Sequence, residues 1–128
     1  VLNISSMAGI IPTGYKTVYP ASKAFIKHFS LGMREELKPD GISVSFAVLG
    51  PMPTKAEIIS RINRQGFIGK SLSVSPERVA KACVDGLFRK KRVIVPGVMN
   101  ALSFHLVKLV PEYLRGILMS RSVRKHEL

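Results

Sequence analysis

Tryptophan is absent, and one cysteine, Cys83, stands among 128 residues. A single thiol closes no internal disulfide, so packing and hydrogen bonds must hold the fold, as suits a reducing compartment. In an apolar helical context Cys83 reads as a small buried hydrophobe. Acids are also scarce: 8 Asp and Glu oppose 20 Lys and Arg, a formal net charge of +12. The adjacent acids Glu35 and Glu36 sit near a helix end and read as water-facing, which removes the paired carboxylates of a glycosidase. His28 and His105 have no Cys, His or acid at ligand spacing, so no metal site is expected. The serines lack the Gly-x-Ser-x-Gly elbow of a hydrolase. No apolar run reaches the roughly 18 residues of a spanning helix, and no secretory signal opens the chain.

What is present is a regular alternation. The apolar share is 46%, enough for the core of one compact domain. Residues 1–4 read as a short apolar strand running into a small polar turn, Ser5-Ser6-Met7-Ala8-Gly9, and residues 10–16 as a loop. Since Val1-Leu2-Asn3-Ile4 is a strand already under way with no initiating methionine, an upstream part of the domain is expected. Helical periodicity covers residues 17–37, with Pro20 tolerated in or near the first turn. Lys38-Pro39-Asp40-Gly41 stops that helix. A Val/Ile/Phe-rich strand follows at 42–49, a break at 50–53, a helical stretch at 55–64 and a loop to Val74. Ser75-Pro76-Glu77 is a strong helix start, for a helix running to about Arg89. A strand at 92–95 closes on Pro96-Gly97, and the rest is apolar helix with a break near Pro111. Strands alternating with helices of this length imply right-handed crossovers and a parallel sheet. Three strands make half a sheet, with residues 1–4 as an edge awaiting partners.

Chemistry concentrates in Tyr19-Pro20-Ala21-Ser22-Lys23. A phenol and an ammonium at i and i+4 share a helix face, about 5–6 Å apart at Cβ. A phenol, with a reference pKa of about 10, is a poor proton donor and acceptor near neutrality; a fixed cation nearby favours the phenolate. Ser6, at the end of a strand, can hydrogen-bond the same substrate oxygen. Tyr15 is a decoy, because Tyr19, and not a lysine, lies four positions beyond it.

The run Asn3-Ile4-Ser5-Ser6-Met7-Ala8-Gly9 followed by Tyr19-Pro20-Ala21-Ser22-Lys23 resembles the active-site segment of short-chain dehydrogenases. There the serine commonly precedes the tyrosine by 13 positions, and 19 − 13 falls on Ser6, with Ser5 as a structural neighbour. Leu49-Gly50-Pro51-Met52-Pro53-Thr54 resembles that family's Pro-Gly-x-Val-x-Thr turn beside the nicotinamide, departing at Leu49 and Met52. The resemblance implies an α/β fold, the C-terminal half of a Rossmann-type doubly wound parallel sheet. Residues 1–97 would be the catalytic core portion and 98–128 an apolar, basic helical extension. It implies an NAD(P)-dependent oxidoreductase that interconverts a carbonyl and an alcohol. Tyr19 would be the acid or base and also contact the cofactor, Lys23 its partner and holder of the nicotinamide ribose, and Ser6 the group that polarises the substrate oxygen. Gly50, Met52 and Thr54 would position the nicotinamide carboxamide and nearby phosphate. NADP is slightly favoured over NAD. The family's Gly-rich pyrophosphate turn and its active-site asparagine would lie upstream (Asn3 is wrongly placed for the latter), so the 128 residues alone are expected to be inactive. A homo-oligomer is expected of the full-length protein.

The charge excess invites a second reading. Much of it lies late, in Arg89-Lys90-Lys91-Arg92 and in Lys108, Arg115, Arg121, Arg124 and Lys125. No nucleic-acid-binding motif accompanies it, and none is expected as a partner. Lys55, Arg61, Arg64 and Lys70 read as solvated charges, with selection of an acidic substrate as the alternative. Residues 98–125 are very apolar with basic flanks, which suits a non-enzymatic basic module lying on an anionic membrane surface. The competing account packs 98–110 against the sheet or another subunit and leaves 111–125 open between the two. The chain is accordingly read as cytoplasmic with membrane association as a variant. Lys125-His126-Glu127-Leu128 resembles an endoplasmic-reticulum retrieval tail.

Overall fold

A computed structural model describes residues 1–127, apart from the side chain of Glu127. The end of the Lys125–Leu128 tail lies outside the described residues. Strand β1 (Leu2–Ser6) leads through a 3₁₀ turn (Met7–Ile10) to helix α1 (Val18–Glu36), then strand β2 (Ser45–Leu49). Helices α2 (Ala56–Arg64), α3 (Gly66–Leu72) and α4 (Pro76–Phe88) precede the two-residue strand β3 (Val93–Ile94). Helices α5 (Val98–Leu109) and α6 (Glu112–Glu127) complete the chain.

The sheet is parallel with order β1-β2-β3. Pairing runs from Leu2 opposite Ser45 to Ser6 opposite Leu49, so β1 and β2 end level with each other. β2 is the central strand, and alternation sends its side chains into two cores. Ala47 joins Val74, Val79, Cys83 and Ile94 under α4, with Leu2, Leu49 and Met52 packed alongside. Phe46 and Val48 meet Ile10 and Phe104 on the other face, with Leu31 and Val107 alongside. Cys83 is the buried hydrophobe its context implied, and burial pushes its thiol above the ordinary cysteine range. On edge strand β1 the side chain of Ile4 is 44% exposed.

Local chemistry explains the boundaries. Proline falls third in α1, where its missing N–H belongs to no helical bond, and the ladder begins with Ala21 N–H donating to the Thr17 carbonyl at 3.2 Å. The helix closes when Leu37 N–H donates to the Met33 carbonyl, before Gly41 turns the chain at φ 73°. Ser75 caps α4 by accepting from Arg78 N–H, with Pro76 at the first helical position. Arg34 staples the lower end of α1 to both strand entrances, donating to the carbonyls of Val44 (2.6 Å) and Lys90 (2.8 Å).

Three local readings change. Ser5 and Ser6 belong to β1 rather than to a turn, because Ser5 is 3% exposed and donates its hydroxyl to the Lys23 carbonyl at 2.8 Å. A polar residue is thereby satisfied inside a strand by a helix far along the chain. Within the segment read as loop, residues 66–72 form α3, which packs on α2 and α5. Residues 42–44 precede β2 rather than opening it.

Candidate active site

The site forms where β1 and β2 end and α1 begins, the carboxyl edge at which open parallel sheets bind ligands. Ser6 is the last residue of β1 and accepts a hydrogen bond from Ala8 N–H at 3.2 Å. Its oxygen is thus held in place while its proton stays available for donation outward. Ser5, one residue earlier, faces α1 and is spent on structure. Asn3 also faces α1, its amide donating to the Ser30 hydroxyl at 2.9 Å.

Tyr19 occupies the first turn of α1 and is 55% exposed. Lys23, one turn on, places Nζ 5.7 Å from the Tyr19 ring centroid, so phenol and ammonium lie on one side of the helix. Lys23 Nζ donates to the Ile4 carbonyl at 3.4 Å, a long bond that directs the side chain across the end of β1. What allows α1 to lie so close is Gly9: a Cβ there would stand 2.8 Å from the Lys23 carbonyl carbon. Tyr15 sits in the loop ahead of α1 at φ 67°, 61% exposed.

Across from Ser6, β2 passes from Leu49 into Gly50. A Cβ on Gly50 would meet the Asn100 amide at 2.5–2.8 Å, so this position must be glycine while Asn100 holds its place. Asn100 is 2% exposed and donates to the carbonyls of Leu72 (2.9 Å) and Pro96 (3.0 Å), joining the ends of α3 and β3 behind the turn. Pattern reading passed over Asn100; the available signal was one carboxamide in the first turn of a mostly apolar helix. Past Gly50, the Pro51 carbonyl accepts from Val74 N–H, and Thr54 N–H donates to the Met52 carbonyl at 2.8 Å. The Met52 side chain packs into the α4-side core, as does Leu49, so both departures from the expected turn are filled core positions. The structure thus brings Ser6, Tyr19 and Lys23 to one edge with the Gly50–Thr54 turn opposite.

Comparison with known proteins gives the family. The family model for short chain dehydrogenases matches residues 1–65, half of the chain. The chain belongs to the short chain dehydrogenase family. Among relatives, the very-long-chain 3-oxoacyl-CoA reductase of Anas platyrhynchos is 46% identical over 61 residues, 48% of this chain and 20% of its own length. That of Podospora anserina is 42% identical over 84 residues, 66% of this chain and 23% of its own. The Homo sapiens reductase is 28% identical over 132 residues, covering 100% of this chain and 39% of its own length. The chain therefore spans well under half of these relatives. Among solved structures, a 7β-hydroxysteroid dehydrogenase superposes with a TM-score of 0.74 at 28% identity, covering 93% of this chain and 46% of that one. A short-chain dehydrogenase of Sphingobium yanoikuyae in complex with NADPH gives 0.61 at 27%, covering 84% and 41%. The three-stranded parallel α/β sheet is that of the short chain dehydrogenase fold.

Proposed function

We propose that this chain is the C-terminal catalytic portion of an NAD(P)-dependent oxidoreductase that interconverts a carbonyl and an alcohol, with Tyr19, Lys23 and Ser6 as its working groups. The observation that carries the reading is the placement of phenol and ammonium on one side of α1 beside the Ser6 end of β1. The donor set suits the nicotinamide end of the cofactor. Lys23 would bind the ribose hydroxyls, and backbone groups of Gly50, Met52 and Thr54 would take the carboxamide and nearby phosphate. NADP is the favoured form, in keeping with the NADPH bound to the Sphingobium neighbour. The cofactor, when bound, supplies or accepts the hydride. Tyr19 gives its phenolic proton to the substrate oxygen in reduction and takes it back in oxidation. Lys23 sets a positive charge beside the phenol, stabilising the negative charge that develops as the proton leaves. Ser6, anchored through Ala8 N–H, donates to the same substrate oxygen and orients it.

The relatives' names favour a 3-oxoacyl thioester as substrate. NADPH oxidation by the full-length protein, followed at 3-oxoacyl-CoA and at a ketosteroid, is expected to be faster with the thioester. Equal inertness toward both, at saturating cofactor, would remove the enzymatic reading. The 128 residues alone carry no Gly-rich turn for the pyrophosphate and are taken to be inactive. The full-length protein is taken to be a homo-oligomer.

A second reading concerns α6 only. Phe104 of α5 is 2% exposed and sits in the core against Phe46, so α5 belongs to the fold. Helix α6 instead leaves Tyr113, Ile117 and Leu118 bare beside Arg121 and Arg124. No helix among the described residues is long and apolar enough to cross a membrane. Peripheral contact with an anionic bilayer through α6 is compatible with both activity and fold. Flotation of the full-length protein with phosphatidylserine vesicles is expected to fall several-fold on Ile117→Asp with Leu118→Asp. Unchanged flotation would assign the exposed row to another surface.

A further inference from the structure

A second concavity lies away from the proposed chemistry. It is a groove of about 670 Å³ between the loop at 8–14 and α1 on one side and α5 and α6 on the other. That volume is within the range of roughly 300–1,000 Å³ for small-molecule sites. Ser6, Tyr19 and Lys23 do not line it. Its apolar stretch comes from Ile11, Pro12, Ala21 and Ala24, and its charge from Lys27, His28, Lys108 and Arg115, opposed by Glu112 alone.

Among the described residues Lys27, Lys108 and Arg115 form no ion pair: no carboxylate lies within ion-pair distance of them, whereas Lys81 on α4 pairs with Asp85. Lys108 is exposed, with its Nζ 3.6 Å over the ring centroid of the buried Phe104. Burial, then the charges of Lys27 and Arg92, pull Lys108 below the ordinary lysine range. Arg115 spends Nη1 on the Ile10 carbonyl at 2.5 Å, while its Nε is buried with no partner among the described residues. A buried donor left unmatched is costly.

We propose that this groove binds a single-chain amphiphile with an anionic head, a fatty carboxylate or an alkyl phosphate. The head would sit at Lys27, Lys108 and Arg115, and the chain would lie along the Ile11–Pro12 and Ala21–Ala24 surface. The apolar wall argues against a free inorganic anion, and the cluster of like charges argues against a neutral lipid.

The test is titration calorimetry on the full-length protein with decanoate, decyl phosphate, decanol and inorganic phosphate, each below any micellar concentration. Decanoate and decyl phosphate are expected to bind, the tighter of the two identifying the head. Decanol and inorganic phosphate should be weaker by about tenfold or more, the loss of one charged hydrogen bond being of that order. Lys27→Ala and Lys108→Ala should each weaken decanoate by about tenfold with turnover and melting temperature retained. Tyr19→Phe should leave decanoate binding as it was. Decanol binding as tightly as decanoate, no binding of either anion, or lysine variants that bind normally would overturn the proposal. So would loss of binding in Tyr19→Phe, since it would move the amphiphile into the active site.

Discussion

Tyr19→Phe in the full-length protein is expected to lower kcat by about 10²–10⁴-fold while leaving cofactor affinity largely unchanged. The range is that of a positioned general acid or base. The substitution removes only a hydroxyl from a side chain that is half in solvent in this chain, so little packing is lost. The ring, the helix that carries it and the Lys23 ammonium beside it all remain. A fall in kcat with an unchanged cofactor Kd therefore isolates proton transfer from binding. Near-normal turnover would dismiss the phenol as the proton carrier. Loss of cofactor affinity by the same factor would make Tyr19 a binding group instead.

The second large effect concerns stability. Phe46→Ala is expected to cost about 3–5 kcal/mol in the unfolding free energy of the full-length protein, read from denaturant midpoints at constant slope. Phe46 is 2% exposed on the central strand and shares its core with Val48, Ile10 and Phe104. Its backbone N–H also donates to the Arg92 carbonyl, so strand and core meet at this residue. A cavity there cannot be closed by a small shift, because the strand is pinned on both sides by β1 and β3. A loss below about 1 kcal/mol would mean that the core re-forms around the gap, contrary to the close packing expected of an interior.

How far these effects were legible beforehand differs by residue. Helix α1 could be read from its apolar spacing and its proline, and the i, i+4 pair of Tyr19 and Lys23 is equally local, whereas the choice of Ser6 came from the resemblance to short-chain dehydrogenases. The parallel sheet followed from alternation of strands and helices. What escaped depended on contacts far apart in sequence. Ser5 looked like part of a turn until the Lys23 carbonyl supplied its partner 18 positions away. Residues 66–72, with Gly66 and Gly69, looked like loop because packing on α2 and α5, not intrinsic propensity, makes them helical. Asn100 carried no motif at all; its role depends on three chain segments that converge on one buried amide.

The account depends most on three side chains meeting one substrate oxygen. A crystal structure of the full-length protein with NADP and a ketone or alcohol ligand measures this directly. Tyr19 Oη and Ser6 Oγ should both lie within hydrogen-bond distance of the ligand oxygen, with Lys23 Nζ moved from the Ile4 carbonyl onto the ribose hydroxyls. A ligand oxygen held by other groups, with Lys23 still on Ile4 and Tyr19 turned to solvent, would contradict it.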